Sequence, residues 1–114
     1  MSRIYKILPR ALWQAARAAG RFDGAAIDLT DGYIHFSTAD QAQETARRHF
    51  HGQADLVVLA VETDTLGPAL KWEPSRGGQL FPHLYGPLDT AQVTDVTEAP
   101  LDGAGVPQTG TLPP

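Results

Sequence analysis

The sequence predicts an α+β fold: a single domain in which a bent or split, mainly antiparallel sheet of five to six short strands carries two main helices. The chain has 114 residues, which is enough for one hydrophobic core but not for two. Two Ala-rich segments repeat apolar residues at helical spacing, whereas the other apolar runs are short, as in strands. The strands predicted after the second helix are joined by short loops, which favours an antiparallel meander following an initial strand–helix–strand–helix half.

The first half of the chain predicts a strand, a helix, a connecting loop, a second strand and a second helix. Pro9 suits the first turn of the first helix, because the N–H that it lacks has no helical partner at that position. A capping box, formed by Thr38 with Gln41 or by Ser37 with Asp40, marks the start of the second helix. In order, these segments are residues 3–8, 9–20, 21–32, 33–37 and 38–52.

The second half of the chain predicts further strands and a tail. Leu56 to Val61 are six consecutive apolar residues, which indicates a strand that is covered on both faces and lies centrally in the sheet. Three more strands are predicted, and Pro82 predicts that its own strand is an edge or is bulged. Residues 100–114 contain four Pro and three Gly, so the folded domain is predicted to span 1–99 and the tail to be disordered or loosely packed.

The composition excludes several classes of protein. The chain has no Cys, which excludes disulfides and thiolate metal sites and fits the reducing cytoplasm. Its formal net charge of −4 does not favour binding to duplex nucleic acid or to an anionic membrane. No apolar run is long enough to cross a bilayer, so we expect a soluble, cytoplasmic protein. His49 and His51 lie two positions apart at a helix end and do not share a face, so no metal site is predicted.

The stretch GYIHFSTADQ, residues 32–41, is the first candidate for a binding site. His35 lies on a strand just before a helix start, where Ser37, Thr38 and the first N–H groups of the helix can hold an anion. The alternative is structural: Ser37 and Thr38 cap the helix, and His35 bonds a backbone carbonyl in the interior.

The stretch LKWEPSRGGQLFPHLYGPL, residues 70–88, is the second candidate. His83 and Tyr85 share one face of their strand, and the Gly pair of the preceding turn allows a ligand to approach closely. We therefore predict that Arg76 and Tyr85 bind a ligand and that Glu73 and His83 supply any acid–base catalysis. The alternative is a surface ion pair between Glu73 and Arg76, with the other two residues half-buried at a sheet edge.

Several segments together resemble a known family. IYKI, GYIHFSTADQ, DLVVLAV, LKWE and FPHLYGPL, with Trp13 and Ala16 after the first of them, are similar to the bacterial domain of unknown function 952 (DUF952) over roughly residues 3–98. This resemblance implies a compact α+β domain and no established activity. The order of the first strand, helix, loop and GYIHFS also resembles the opening half of ADP-ribosyltransferase-like folds, whose enzymes use NAD. In those enzymes a Tyr-His pair on the first strand holds the nicotinamide riboside, whereas here Lys6 follows Tyr5.

Two functions remain open on the sequence alone. In the first, a non-catalytic domain binds a small, anionic or nucleotide-like ligand in a cleft built from residues 33–38 and 72–86. In the second, an ADP-ribosyltransferase-like enzyme acts on NAD or a phosphorylated nucleotide in the same cleft, with His35, Ser37 and Arg76 on the anionic groups. NAD is a cofactor only in the second case. The partner is a small molecule in both, and a protein partner stays open.

Overall fold

The structure, a computed structural model, describes residues 2–114. Within this range the strands are β1 (Arg3–Pro9), β2 (Arg21–Phe22), β3 (Ile34–His35), β4 (Leu56–Glu62), β5 (Leu70–Pro74), β6 (Leu80–Leu84), β7 (Leu88–Asp89) and β8 (Val93–Glu98). The α-helices are α1 (Arg10–Ala19), α2 (Ala26–Asp31) and α3 (Ala39–His49). The predicted α+β class is confirmed. None of the described helices is long and apolar enough to cross a membrane.

The strands are divided among three antiparallel sheets. β4 lies between β1 and β8, which confirms the central position predicted from its apolar run, and β6 lies between β3 and β5. The two-residue strands β2 and β7 pair with each other. Tyr5 and Ser37 join the first two sheets, because the backbone N–H of each donates to the carbonyl of the other at 2.8 Å. The predicted split, antiparallel arrangement is therefore confirmed.

The number of elements differs from the sequence prediction. Residues 26–31, which the sequence analysis assigned to a connecting loop, form α2 and make a third helix. Gly24 and Gly32 flank this segment with positive φ angles of 125° and 88°, and such residues are typical of turns. A six-residue helix between two turn signals is too short for helical periodicity to reveal it. The short strands β2 and β7 likewise raise the number of strands from the predicted five to six to eight.

Pro82 lies in the middle strand of its sheet, and the register of that strand runs without a bulge, so the prediction that the strand is an edge or is bulged was wrong. It pairs in register with Trp72 of β5. On the other side, the Pro82 carbonyl accepts a hydrogen bond of 3.0 Å from the N–H of Phe36, which lies just beyond the end of β3. The backbone N and O atoms of one strand residue point to the same neighbouring strand. The position of the N–H that Pro82 lacks therefore faces Phe36, where β3 has already ended.

The main core lies between β1, β4, α1 and the inner face of the β3–β6–β5 sheet. Its fully or nearly buried members include Ile4, Leu8, Trp13, Ile34, Val57, Leu59, Val61 and Leu84. The opposite face of β1 and β4 packs in a second cluster with Ala46 of α3. Lys6 is the polar exception on this face of β1, because it shares the face with Ile4 and Leu8 and is only 5% exposed.

Residues 100–114, predicted to be disordered or loosely packed, make specific contacts. Gln43 of α3 donates to the Pro107 carbonyl at 3.0 Å and accepts from the N–H of Thr109 at 3.0 Å. Pro107 and Thr109 are both buried. The Tyr5 hydroxyl donates to a carbonyl further along the same segment. Composition does not reveal these contacts because their partners lie on β1 and α3, and how much the segment stabilises the domain stays a prediction.

Candidate functional site

The candidate site lies on the outer face of the β3–β6–β5 sheet. The strand register places His35 of β3 directly opposite His83 of β6, so both side chains project from the same face. Their ring centroids lie 5.5 Å apart. Ile34 and Leu84 alternate with these histidines and belong to the main core. The structure thus brings together histidines from the two candidate stretches.

Glu73 joins β5 to this histidine pair. Its Oε1 lies 2.7 Å from Nδ1 of His83 and accepts a hydrogen bond from the Tyr85 hydroxyl at 2.8 Å. The bond with His83, followed by that with Tyr85, lowers the pKa of Glu73, and the same carboxylate raises the pKa of Tyr85. Glu73 is therefore ionised at neutral pH and contacts His83, not Arg76 as the surface-pair alternative required.

Aromatic rings surround the histidine pair. Tyr33 lies two residues before His35 and stacks on His83, with ring centroids 4.1 Å apart. Its ring centroid is also 4.6 Å from that of His35 and 5.1 Å from that of Tyr85. His83 is only 3% exposed, whereas Tyr85 is 40% exposed. The site therefore presents an accessible aromatic surface beside a nearly buried imidazole.

Asp28 of α2 is a buried carboxylate that holds His35 in place. Its Oδ1 accepts from the backbone N–H of His35 at 3.1 Å and lies 2.7 Å from the ring Nδ1. Nζ of Lys6 lies 2.9 Å from the other oxygen, Oδ2, which also accepts from the N–H of Ala25 at 2.7 Å. The second ring nitrogen of His35, Nε2, lies 2.9 Å from Oδ2 of Asp31. His35 thus has a carboxylate at each nitrogen, and α2 is fixed to β1 and β3.

The ionisation of this network follows from its contacts. Burial raises the pKa of Asp28, but the hydrogen bond from His35 and the charge of Lys6 outweigh burial and lower it to about 2. Burial lowers the pKa of Lys6, and the charge of Asp28 opposes that effect. A buried ion pair is tolerated only when further hydrogen bonds satisfy it, as they do here. Lys6 and Asp28 therefore serve to position the site.

Arg76, Ser37 and Thr38 lie beyond direct contact with the histidine pair. The Ser37 hydroxyl is 3.0 Å from Oγ1 of Thr45, and Nη1 of Arg76 donates to the same oxygen at 3.4 Å. The N–H of Thr38 donates to a glutamine side chain in the first turn of α3 at 3.0 Å, as a capping box predicts. The Arg76 guanidinium lies over the Phe81 ring, 4.9 Å from its centroid. Ser37 and Thr38 thus have structural partners, whereas Arg76 is held mainly by stacking.

Two hollows border this face of the protein. The larger hollow, of about 330 Å³, lies between Arg76 and the face of α3 that carries Arg48. The smaller, of about 270 Å³, reaches Asp28 and Tyr33. Neither of the two is lined by His35 or His83. The histidine pair thus lies between two open hollows and is not at the bottom of either.

Comparison with known proteins places the chain in a family. The family model described as protein of unknown function (DUF952) matches residues 7–96. The chain belongs to the DUF952 family. The crystal structure of protein CC0527 from Caulobacter crescentus is 60% identical, with a TM-score of 0.92 over 94% of each chain. The solution NMR structure of CC0527 is 60% identical, with a TM-score of 0.85 over 95% of this chain and 93% of that one. No curated protein matches.

The site of this DUF952 domain contains three residues that lie outside the predicted cleft, namely Lys6, Asp28 and Asp31. A fourth, Tyr33, lies within the predicted range 33–38 but was given no role. Lys6 was noted only for its place beside Tyr5, and both aspartates were taken as loop residues. A signal was present, because Asp28 and Asp31 are three positions apart and would share the face of a helix. Tyr33, two positions before a strand histidine, shares the face of that histidine.

Proposed function

We propose that this DUF952 domain binds a small ligand that carries an anionic group, such as a nucleotide, on the outer face of the β3–β6–β5 sheet. Arg76 binds the anion. One observation carries the proposal: the half-buried Arg76 has no carboxylate partner among the described residues. Five of the seven Arg residues do pair with carboxylates, and the other exception, Arg17, is exposed on α1.

The surroundings of Arg76 support an anion rather than a cation. Arg48 lines the same hollow, and its charge adds to the effect of burial in lowering the pKa of Arg76. Two acidic residues of α3, Asp40 and Glu44, also line this hollow, but neither forms an ion pair with Arg76, and Glu44 already binds Arg47 and Arg48 at 2.6 and 2.8 Å. A planar guanidinium held by stacking on Phe81 presents its N–H groups for bidentate contact with a phosphate or carboxylate.

The spacing along β6 suits a ligand larger than an inorganic anion. Phe81, beneath Arg76, and His83 are two residues apart on the same face, so they are separated by about 7 Å along the strand. Tyr85 continues this face beyond His83 and is accessible. A ligand whose anion contacts Arg76 therefore reaches His83 and Tyr85 with its other end.

The second candidate, an ADP-ribosyltransferase-like enzyme that uses NAD, is favoured by the contact between Glu73 and His83. A carboxylate that orients an imidazole is a common acid–base arrangement. The position after Tyr5 does not add to this candidate, because Lys6 points inward to Asp28. NAD is therefore retained as a test compound.

A heteronuclear NMR titration with adenosine 5′-monophosphate, ADP-ribose, NAD and uncharged adenosine tests the proposal. We expect the phosphate compounds to shift resonances of residues 73–85 and adenosine to bind more weakly. Arg76→Gln should weaken binding by about tenfold or more, since a charged hydrogen bond is lost. The matched control, Arg17→Gln, removes the other unpaired Arg and should bind as the wild type does.

Two results would count against this function. One is equal binding by the Arg76→Gln and wild-type proteins, and the other is no shift with any compound at about 10 mM, where even weak complexes form. Binding of NAD with release of nicotinamide would instead favour the enzyme. Melting temperatures of both variants identify any loss that results from unfolding.

A further inference from the structure

His83 has one ring nitrogen that the protein does not use. Nδ1 contacts Glu73 at 2.7 Å, whereas Nε2 has no hydrogen-bond partner among the described residues. Among these residues, one side-chain polar atom is both fully buried and without a partner, and it is Oε2 of Glu62. Nε2 of His83 also lacks a partner, so it is not fully buried and solvent can reach it. An unpartnered nitrogen on a side chain that is only 3% exposed points to a contact made by something outside the chain.

The contact with Glu73 decides which nitrogen carries the proton. An ionised carboxylate only accepts hydrogen bonds, and the Tyr85 hydroxyl already donates to the same Oε1. Nδ1 of His83 must therefore carry a hydrogen. In the neutral ring the other nitrogen, Nε2, then has a lone pair and can only accept.

The two neighbouring histidines, with ring centroids 5.5 Å apart, differ in their partners. His35 has a carboxylate at each ring nitrogen. His83 has one carboxylate, shared with Tyr85, and its ring stacks on Tyr33. Among the described residues, Nε2 of His83 is therefore the one ring nitrogen of this pair that has no protein partner.

We infer that the ligand presents a hydrogen-bond donor, an O–H or N–H group, to Nε2 of His83, about 7 Å along β6 from the anion at Arg76. This inference rests on the proposed function. Glu73 is a positioning residue, because it selects the tautomer and makes no contact with the ligand at that atom. The ligand class is therefore a phosphate or carboxylate compound whose opposite end is a hydroxyl or ring N–H. A carbonyl or second anion at that end would meet the lone pair of Nε2 and be disfavoured.

The first test uses the ligand-free protein with isotope-labelled histidine, at about pH 8, where imidazole is ordinarily neutral. Nitrogen chemical shifts should show His83 protonated at Nδ1 and bare at Nε2. Glu73→Leu removes the acceptor and should produce a mixture of tautomers. The matched control, Tyr85→Phe, removes the other bond to the same carboxylate and should leave the tautomer unchanged. A proton on Nε2 of the wild type would overturn the inference, and the same tautomer in Glu73→Leu would overturn the positioning role of Glu73.

The second test locates the donor on the ligand. Inosine 5′-monophosphate is compared with its N1-methyl derivative, which lacks the ring N–H, and with its 2′,3′-dideoxy derivative, which lacks the sugar hydroxyls. Loss of the donor should weaken binding by about fivefold or more, because Nε2 is left unsatisfied. The derivative that binds more weakly than inosine 5′-monophosphate shows whether the base or the sugar supplies the donor.

His83→Phe completes the test, since it keeps a ring on Tyr33 and removes the acceptor. The affinity difference between inosine 5′-monophosphate and the weaker derivative should disappear in this variant. Equal binding of all three compounds to the wild type would refute the donor inference while leaving anion binding intact. If none of these three compounds and none of the phosphate compounds of the first titration binds, the proposed function fails, and the tautomer measurement alone decides whether His83 offers an acceptor.

Discussion

Replacement of Asp28 by Asn tests whether the buried ionic network holds the site together. Asp28 is 2% exposed, and its two oxygens accept four hydrogen bonds, from the N–H of Ala25, the N–H and ring of His35, and Lys6. An Asn side chain has one acceptor oxygen and no charge. The substitution leaves Lys6 buried without a counter-ion and breaks the contact between α2 and β3.

The magnitude follows from the position of Lys6. Removal of one partner from a buried ion pair usually costs about 3–5 kcal/mol, because the remaining charge stays out of water. The free energy of unfolding of most domains is only about 5–15 kcal/mol, so Asp28→Asn should remove a large part of it. Lys6→Met should partly rescue Asp28→Asn, since the double variant no longer buries an unpaired ammonium group.

Urea unfolding of the wild type, both single variants and the double variant measures these effects as a double-mutant cycle. Asp31→Asn is the control, because Asp31 contacts His35 from an exposed position and its loss should cost less than about 1 kcal/mol. A cost below about 1 kcal/mol for Asp28→Asn, or no rescue by Lys6→Met, would refute the idea that the pair is an essential support of the site.

Three further outcomes are expected. Between about pH 4 and pH 2 the free energy of unfolding of the wild type should fall by about 2 kcal/mol relative to that of Asp28→Asn. The reason is that the folded pKa of Asp28, about 2, lies below its usual 3.8, so the stability that the carboxylate contributes is lost as it protonates. Parallel acid-unfolding curves of the two proteins would contradict this. Leu59→Ala, at a fully buried position of β4, should cost about 2–5 kcal/mol in urea unfolding, while Val96→Ala, on exposed β8, should change stability by less than about 0.5 kcal/mol. Deletion of residues 100–114 should lower the melting temperature by about 4 °C or more because the bonds to Gln43 are lost, whereas an unchanged value would favour a loosely packed tail.

Much of the fold could be predicted because its signals are local. The six apolar residues of β4 indicated a central strand, and the capping pattern at Thr38 placed the start of α3 correctly. Alternation along β6 correctly put His83 and Tyr85 on one face. α2 was not predicted because its six residues lie between turn signals. Pro82 gave a wrong prediction because the residues around it do not show where the neighbouring strand ends.

The sequence by itself determined most of the elements, the family and the two stretches that meet at the candidate site. Only the tertiary structure decided which polar groups pair, because each pairing depends on the register between segments that are distant in the chain. His35 faces His83 through one such register, and Glu73 contacts that His83 although Arg76 is closer in sequence. Lys6, on an otherwise apolar face of β1, is accommodated in the interior because packing brings Asp28 of a short, unrecognised helix to its ammonium group.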